Sequence, residues 1–304
     1  MDKLRIATRK SRLAMWQSEH VAEGLRRAHP GLLVELVPMS TRGDEVLDRS
    51  LTEIGGKGLF LKELETALLE GLADIAVHSL KDVPAQSPPG VDLVAMLPRA
   101  DWCDLWLQKD GLAPSDLVPG SRVGTSSLRR QSQLLRGFPH LTVVPVRGNV
   151  ETRLGLMTAG KVDAVILAAA GIDRLALELP YRSRLEPPAF LPAPGQGVIV
   201  VQCRAEDQRI RDCLQAIHCD RTMRSVVAER AVVATLGGDC RMPLAALAEQ
   251  VGEQLHVRAR LASGDGRQCL DAELRGGIDQ GAELGQLAAR ELLDKGGAEI
   301  LEQL

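Results

Sequence analysis

The sequence predicts an α/β protein of two lobes separated by a cleft, followed by a small α+β domain. Three observations carry that expectation. Short apolar runs of strand type alternate with amphipathic stretches of helical period through residues 4–97 and again through 121–178. A linker holding Pro187, Pro188, Pro192 and Pro194 then leads into a strand, Gly197–Cys203, placed to rejoin the first sheet. Beyond residue 221 the pattern changes to a long helix, two strands of antiparallel type and one amphipathic helix. The expected division is 1–98 with 198–217 for the first lobe, 103–192 for the second, and 218–304 for the third domain. A chain of 304 residues can support two or three separate cores.

In the first lobe, Leu4–Thr8 reads as a strand ending in Arg9-Lys10-Ser11. Ser11 is of N-cap type for a helix reaching His29, with Ala14, Val21, Leu25 and Ala28 on one face. Leu32–Pro38 is a second strand, and Ser40–Gly58 is polar, Gly-rich and without period. A helix follows through Leu59, Leu64, Ala67 and Leu68. Asp74–His78 is a strand of buried type that runs into Ser79-Leu80-Lys81-Asp82-Val83-Pro84, and Val91–Leu97 is another. The second lobe repeats the alternation. Strands are expected at Ser121–Gly124, Leu141–Val146 and Val162–Ala168, and helices at Ser126–Arg136, Val150–Thr158 and Ala169–Glu178. After the returning strand, Asp207–Ile217 is a helix. The third domain reads as a helix at Arg221–Leu236, a polar loop Gly237–Pro243, strands at Leu255–Leu261 and Gln268–Arg275, and a helix at Glu283–Leu293.

Composition narrows the classes of function. The net charge of −3 provides no global field to recruit nucleic acid, so any anion site must be local. With three Trp, three Phe and one Tyr, the cores must rest on Leu, Val, Ile and Ala. The N-terminal residues show no apolar h-region, and no run approaches 18 apolar residues, so a cytoplasmic protein without membrane contact is expected. The six cysteines (Cys103, Cys203, Cys213, Cys219, Cys240 and Cys269) form no Cys-x-x-Cys pair and no zinc framework. Reduced thiols and no metal site are expected.

The chemistry-bearing residues cluster at strand-to-helix junctions. Gly124-Thr-Ser-Ser-Leu-Arg-Arg130 joins a backbone turn to hydroxyls and two guanidiniums, and Arg147-Gly-Asn-Val-Glu-Thr-Arg153 adds two more. Helix starts leave N–H groups pointing outward, and arginine presents a planar fork of donors, so both favour carboxylates or phosphates. Arg9 with Ser11, and Lys81 with Asp82, occupy comparable junctions in the first lobe, and Arg174 lies in a later helix. In open α/β sheets ligands bind beyond the carboxyl ends of strands. Asp82 stands as a carboxylate suited to stabilise a cationic intermediate, or to accept a ligand N–H. Cys240, in a Gly-Gly-Asp-Cys turn rather than an apolar run, reads as an accessible thiol. Each group also has a plainer reading, as an N-cap, a surface ion pair or a loop thiol. No Walker pattern and no paired metal carboxylates support phosphoryl transfer. A two-lobed anion binder without catalysis remains a rival reading.

Six motifs occur in order: Arg5-Ile-Ala-Thr-Arg-Lys-Ser11, Gly55-Gly-Lys-Gly-Leu-Phe60, His78-Ser-Leu-Lys-Asp-Val-Pro84, Gly124-Thr-Ser-Ser-Leu-Arg-Arg130, Arg147-Gly-Asn149 and Pro194-Gly-Gln-Gly197. Together they resemble the porphobilinogen deaminase family over nearly the whole chain. The resemblance implies two lobes like those of periplasmic binding proteins, with a central cleft. It also implies a third domain whose cysteine, here Cys240, holds a dipyrromethane cofactor by a thioether. Four porphobilinogens would be joined head to tail into hydroxymethylbilane, each losing ammonia. By the same resemblance Lys81, Asp82, Thr125, Ser127, Arg129, Arg130 and Arg153 would serve the cofactor. Arg9, Ser11, Gln17, Arg147 and Arg174 would serve the substrate or growing chain. Asp82 would be the catalytic aspartate, Ser40–Gly58 a lid, and the protein a monomer acting on a small molecule. Two departures stand out: Gly-Gly-Asp-Cys at the attachment loop, and Trp102-Cys103-Asp104 where Pro-Arg-Asp is more usual.

Overall fold

The structure, a computed structural model, describes residues 1–41, 61–238 and 242–303. The chain runs β1 (Lys3–Arg9), α1 (Arg12–Ala28), β2 (Leu33–Met39), α2 (Lys62–Leu69), β3 (Ile75–Ser79), β4 (Val91–Met96), β5 (Asp104–Gln108), β6 (Arg122–Gly124) and α3 (Leu128–Gly137). It continues through β7 (Thr142–Val144), α4 (Val150–Thr158), β8 (Ala164–Ala168), α5 (Ala169–Arg174), β9 (Arg182–Leu185), β10 (Ile199–Arg204), α6 (Gln208–Gln215) and α7 (Asp220–Thr235). It closes with β11 (Leu244–Val251), β12 (Gln254–Ala262), β13 (Cys269–Gly277), α8 (Gly281–Leu292) and α9 (Ala298–Glu302). Two compact units result: Met1–Ala100 with Gly197–Met223, and Asp101–Gln196 with Arg224–Leu304.

The first unit is built on a five-stranded sheet ordered β2-β1-β3-β10-β4. Its first three strands are parallel, and β10 runs antiparallel to both neighbours. The returning strand expected from Gly197–Cys203 therefore does rejoin the first sheet. Period-two alternation sends Leu4 and Ile6 to one face, where they meet Val21 and Leu25 of α1 together with Ile75, Val77, Ile199 and Val201. Ala7 and Ala76 face the other way, onto Leu64, Ala67 and Leu68 of α2. Each such aliphatic side chain taken out of water contributes about 1.5–3 kcal/mol.

The second unit contains a sheet ordered β7-β6-β8-β5-β9. β6 is parallel to β7 and β8, and β5 is antiparallel to β8 and β9. Strand senses and order repeat those of the first sheet, which gives two α/β lobes of like topology. β5 alternates as the sheet demands, with Leu105 and Leu107 in one core and Trp106 in the other. The same unit holds the antiparallel sheet β11-β12-β13, packed through Leu255, Val257, Ala259 and Leu261 onto α7 and α8.

Three strands, β5, β9 and β11, have no counterpart in the sequence-based assignment. β5 is five residues long and carries Asp and Gln at its ends. β9 is the polar edge segment Arg-Ser-Arg-Leu. β11 reads Leu-Ala-Ala-Leu-Ala, a helix-favouring string that becomes a strand because its pairing with β12 and its burial outweigh local propensity.

Candidate active site

In the first unit, β1 ends at Arg9 and Ser11 starts α1 by accepting the Ala14 N–H at 3.3 Å. One turn on, Gln17 is buried, and its Nε2 donates to Ser79 Oγ at 2.8 Å. Ser79 closes β3, and a single 3-10 turn, Leu80–Asp82, carries the next two polar groups. Gln17 is thus tied to the strand end that presents Lys81 and Asp82. Buried Leu80 anchors that turn, and the Leu80 N–H donates to Val198 O at 3.0 Å. Asp82 itself is exposed and has no hydrogen-bond or ion partner among the described residues. Behind the turn, His78 Nε2 lies 3.1 Å from Gln202 Oε1, and Gln202 Nε2 donates to Glu65 at 3.1 Å. Burial pushes the His78 imidazole down to about 4, and the neighbouring charge of Arg9 acts in the same direction.

In the second unit, β6 leads to Thr125, whose Oγ1 accepts the Ser127 N–H at 3.2 Å. Ser127 in turn caps α3 by accepting the Arg130 N–H at 3.4 Å. The first turn of α3 then carries Arg129 and Arg130, 4% and 6% exposed. Both close on one carboxylate, Asp104 at the start of β5. Arg129 Nη1 donates to Asp104 at 2.7 Å, and Arg130 donates from Nε at 3.0 Å and from Nη2 at 2.7 Å. Arg130 is used up further by Ile166 O at 2.9 Å, whereas among the described residues Arg129 spends only Nη1, on Asp104 and on Leu191 O at 2.6 Å. Its guanidinium lies 5.9 Å from the Phe190 ring centroid. Burial lowers the Arg129 pKa, Asp104 opposes that, and Arg130 adds to it. Two buried cations share one anion, so the cluster favours a further negative charge.

The Arg147-Gly-Asn149 motif forms the cap of α4. Asn149 Oδ1 accepts the Thr152 N–H at 2.8 Å, and Arg153 Nε donates to Gly148 O at 2.9 Å. Gly148 has φ +95°, and a Cβ there would lie 2.7 Å from Thr152 Cβ, so only glycine allows this turn. Arg174 ends α5, and burial brings its guanidinium down to about 10. Cys240 lies outside the described residues, as does the expected lid apart from Ser40 and Thr41.

Sequence reasoning missed Asp104 as the counter-ion of the arginine pair, and Gln196, which is fully buried and donates to Trp102 O at 2.7 Å and to Asp104 at 3.1 Å. Nothing local marks either residue, because their partners are more than 20 positions away. Among the described residues no helix is long and apolar enough to cross a membrane.

The model described as "Porphobilinogen deaminase, dipyromethane cofactor binding domain" matches residues 4–212, and that family's C-terminal domain matches 223–294. The chain belongs to the porphobilinogen deaminase family. A curated porphobilinogen deaminase of Xanthomonas campestris is 51% identical over 304 residues, covering all of both chains. That of Bordetella parapertussis is 49% identical over 304 residues, covering 100% of this chain and 97% of the relative. Among solved structures, the Bordetella pertussis BvgS periplasmic VFT2 domain aligns with a TM-score of 0.44 at 16% identity. That alignment covers 71% of this chain and 86% of the other, a likeness too loose to carry an argument. Family membership makes the chain an enzyme of the transferase class in porphyrin biosynthesis, with a dipyrromethane cofactor and a small-molecule substrate.

Proposed function

We propose that this enzyme deaminates four porphobilinogen molecules and joins them head to tail into hydroxymethylbilane, as a cytoplasmic monomer, from a dipyrromethane held by Cys240. When bound, a dipyrromethane supplies the α-carbon on which the chain is extended. The observation that carries the reading is the Arg129–Asp104–Arg130 cluster behind the Ser127 cap, with Arg129 donors still uncommitted. A polypyrrole brings an acetate and a propionate on every ring. Like charges 4 Å apart repel by ~4 kcal/mol at an effective dielectric near 20, so such a ligand needs fixed cations. In this reading Thr125, Ser127, Arg129, Arg130, Arg153 and Lys81 hold the cofactor, and Arg9, Ser11, Gln17, Arg147 and Arg174 hold the substrate or growing chain.

Asp82 performs the chemistry. Loss of ammonia leaves the substrate pyrrole electron-poor. A carboxylate accepting its ring N–H stabilises the positive charge as it develops, and then assists removal of the proton that restores aromaticity. An exposed carboxylate with no partner among the described residues is available for that contact. The test is intact mass. The chain purified from cells should exceed its sequence mass by two pyrrole units less the ammonia lost, and Cys240→Ser should remove the increment. An unmodified wild-type mass would overturn the reading.

A further inference from the structure

A guanidinium from the C-terminal sheet is buried beside the segment that holds the Arg129–Asp104–Arg130 cluster. Arg260, on β12, is 4% exposed. Asp271 on β13 grips it in a bidentate pair, at 2.6 Å to Nε and 3.0 Å to Nη2, and so aims the other donors inward. Nη2 also donates to Pro188 O at 3.0 Å, and Nη1 to Ala189 O at 2.9 Å and Gln133 Oε1 at 3.1 Å. Gln133, on α3, is equally buried. Its Oε1 accepts the Leu191 N–H at 2.7 Å, and its Nε2 donates to Leu191 O at 3.0 Å and to Arg129 O at 3.2 Å. Leu191 O is the acceptor that, with Asp104, fixes the Arg129 guanidinium. A continuous run of hydrogen bonds therefore leads from the C-terminal sheet to the Arg129 side chain. Close packing reinforces it. At Gly266, in the turn between β12 and β13, a Cβ would stand 2.3 Å from Ser132 O of α3.

We propose that Arg260 is a positioning residue for the Arg129–Arg130 anion site, acting through Gln133 and the Pro188–Leu191 segment to orient Arg129. Its planar fork meets five acceptor oxygens on four residues at once, which an ammonium on a flexible stem does not reproduce. The inference rests on the proposed binding of the cofactor at that site, and deepens it. It predicts that the domain holding the attachment cysteine also sets the charge that receives the cofactor carboxylates.

The test compares Arg260→Lys and Gln133→Met with Arg136→Gln and Gln131→Ala. The last two remove other contacts across the same packing, to Asp271 and Cys269 and to Gly264 O, without touching Leu191. For each purified chain, the fraction carrying the cofactor mass and the melting temperature are measured. Loss of a charge-assisted hydrogen bond should cut loading about tenfold in Arg260→Lys and Gln133→Met. Arg136→Gln and Gln131→Ala should stay fully loaded even where they melt lower. Full loading in Arg260→Lys or in Gln133→Met, or loading that simply follows melting temperature across all four variants, would overturn the proposal. An unloaded wild type would instead overturn the proposed function.

Discussion

The two lobes share one strand order and one capping device, yet they bury opposite chemistry at the same places. Ser11 and Ser127 each cap the helix that follows the first parallel strand. The second and third helical positions are Leu13 and Ala14 in the first lobe, and Arg129 and Arg130 in the second. The strand that returns antiparallel meets the last residue of its neighbour with Ile199 in the first lobe and with Asp104 in the second. The second lobe thus holds a buried ion cluster where the first has half-buried Leu13 and Ala14 and buried Ile199. The first lobe instead runs a polar chain from buried His78 and Gln202 to half-buried Glu65, and His78 and Gln202 stand where the second lobe has Leu167 and Leu107. A shared topology fixes where groups can point, and the residues placed there decide whether those positions bury an ion cluster or a hydrogen-bonded polar chain.

That contrast is open to direct attack. The largest effect should come from Asp82→Asn. The side chain makes no contact the fold depends on, so the melting temperature should hold, while turnover falls about 10²–10⁴-fold. Near-wild-type kcat would remove the first lobe from the chemistry. Next is Asp104→Ala, which strands two buried guanidiniums and should cost about 3–5 kcal/mol in urea unfolding. Ile199→Ala, at the matching place in the first lobe, makes only a cavity and should leave cofactor loading intact.

Acid should separate the lobes by about 3 kcal/mol through His78, at ~1.4 kcal/mol per pKa unit. Its folded value is about 4, below the ordinary 6.5. The unfolded chain therefore binds the extra proton between those values, and stability declines as pH falls across that window. His78→Gln should flatten this slope in a series of unfolding midpoints, and an unchanged slope would refute it. At still lower pH, burial would raise Asp74 and Asp271, but the guanidiniums of Arg5 and Arg260 hold both below the usual carboxylate range. Their contribution is present above the unfolded carboxyl value and is lost as pH drops through the depressed folded ones. The smallest effects belong to the caps. Ser11→Ala and Ser127→Ala should each lose ~1 kcal/mol of stability, with only Ser127→Ala lowering the loaded fraction.

Local chemistry in the sequence determined much of this protein. Ser11, Ser127 and Asn149 start helices because each supplies an oxygen to an N–H three residues on, and the parallel strands declare themselves as short apolar runs. The same locality made the arginine-bearing stretches visible, since their arginines lie within one helical turn of the caps. Tertiary structure decided the rest. β9 and β11 exist because a neighbouring strand satisfies backbone groups that their own sequences do not commit to sheet. Asp104 meets Arg129 and Arg130 across 25 and 26 positions, and Arg260 reaches Gln133 across 127. Such pairings form only when folding removes water from both partners, because a buried charge tolerates its site only beside its counter-charge, and no stretch of sequence read alone contains both.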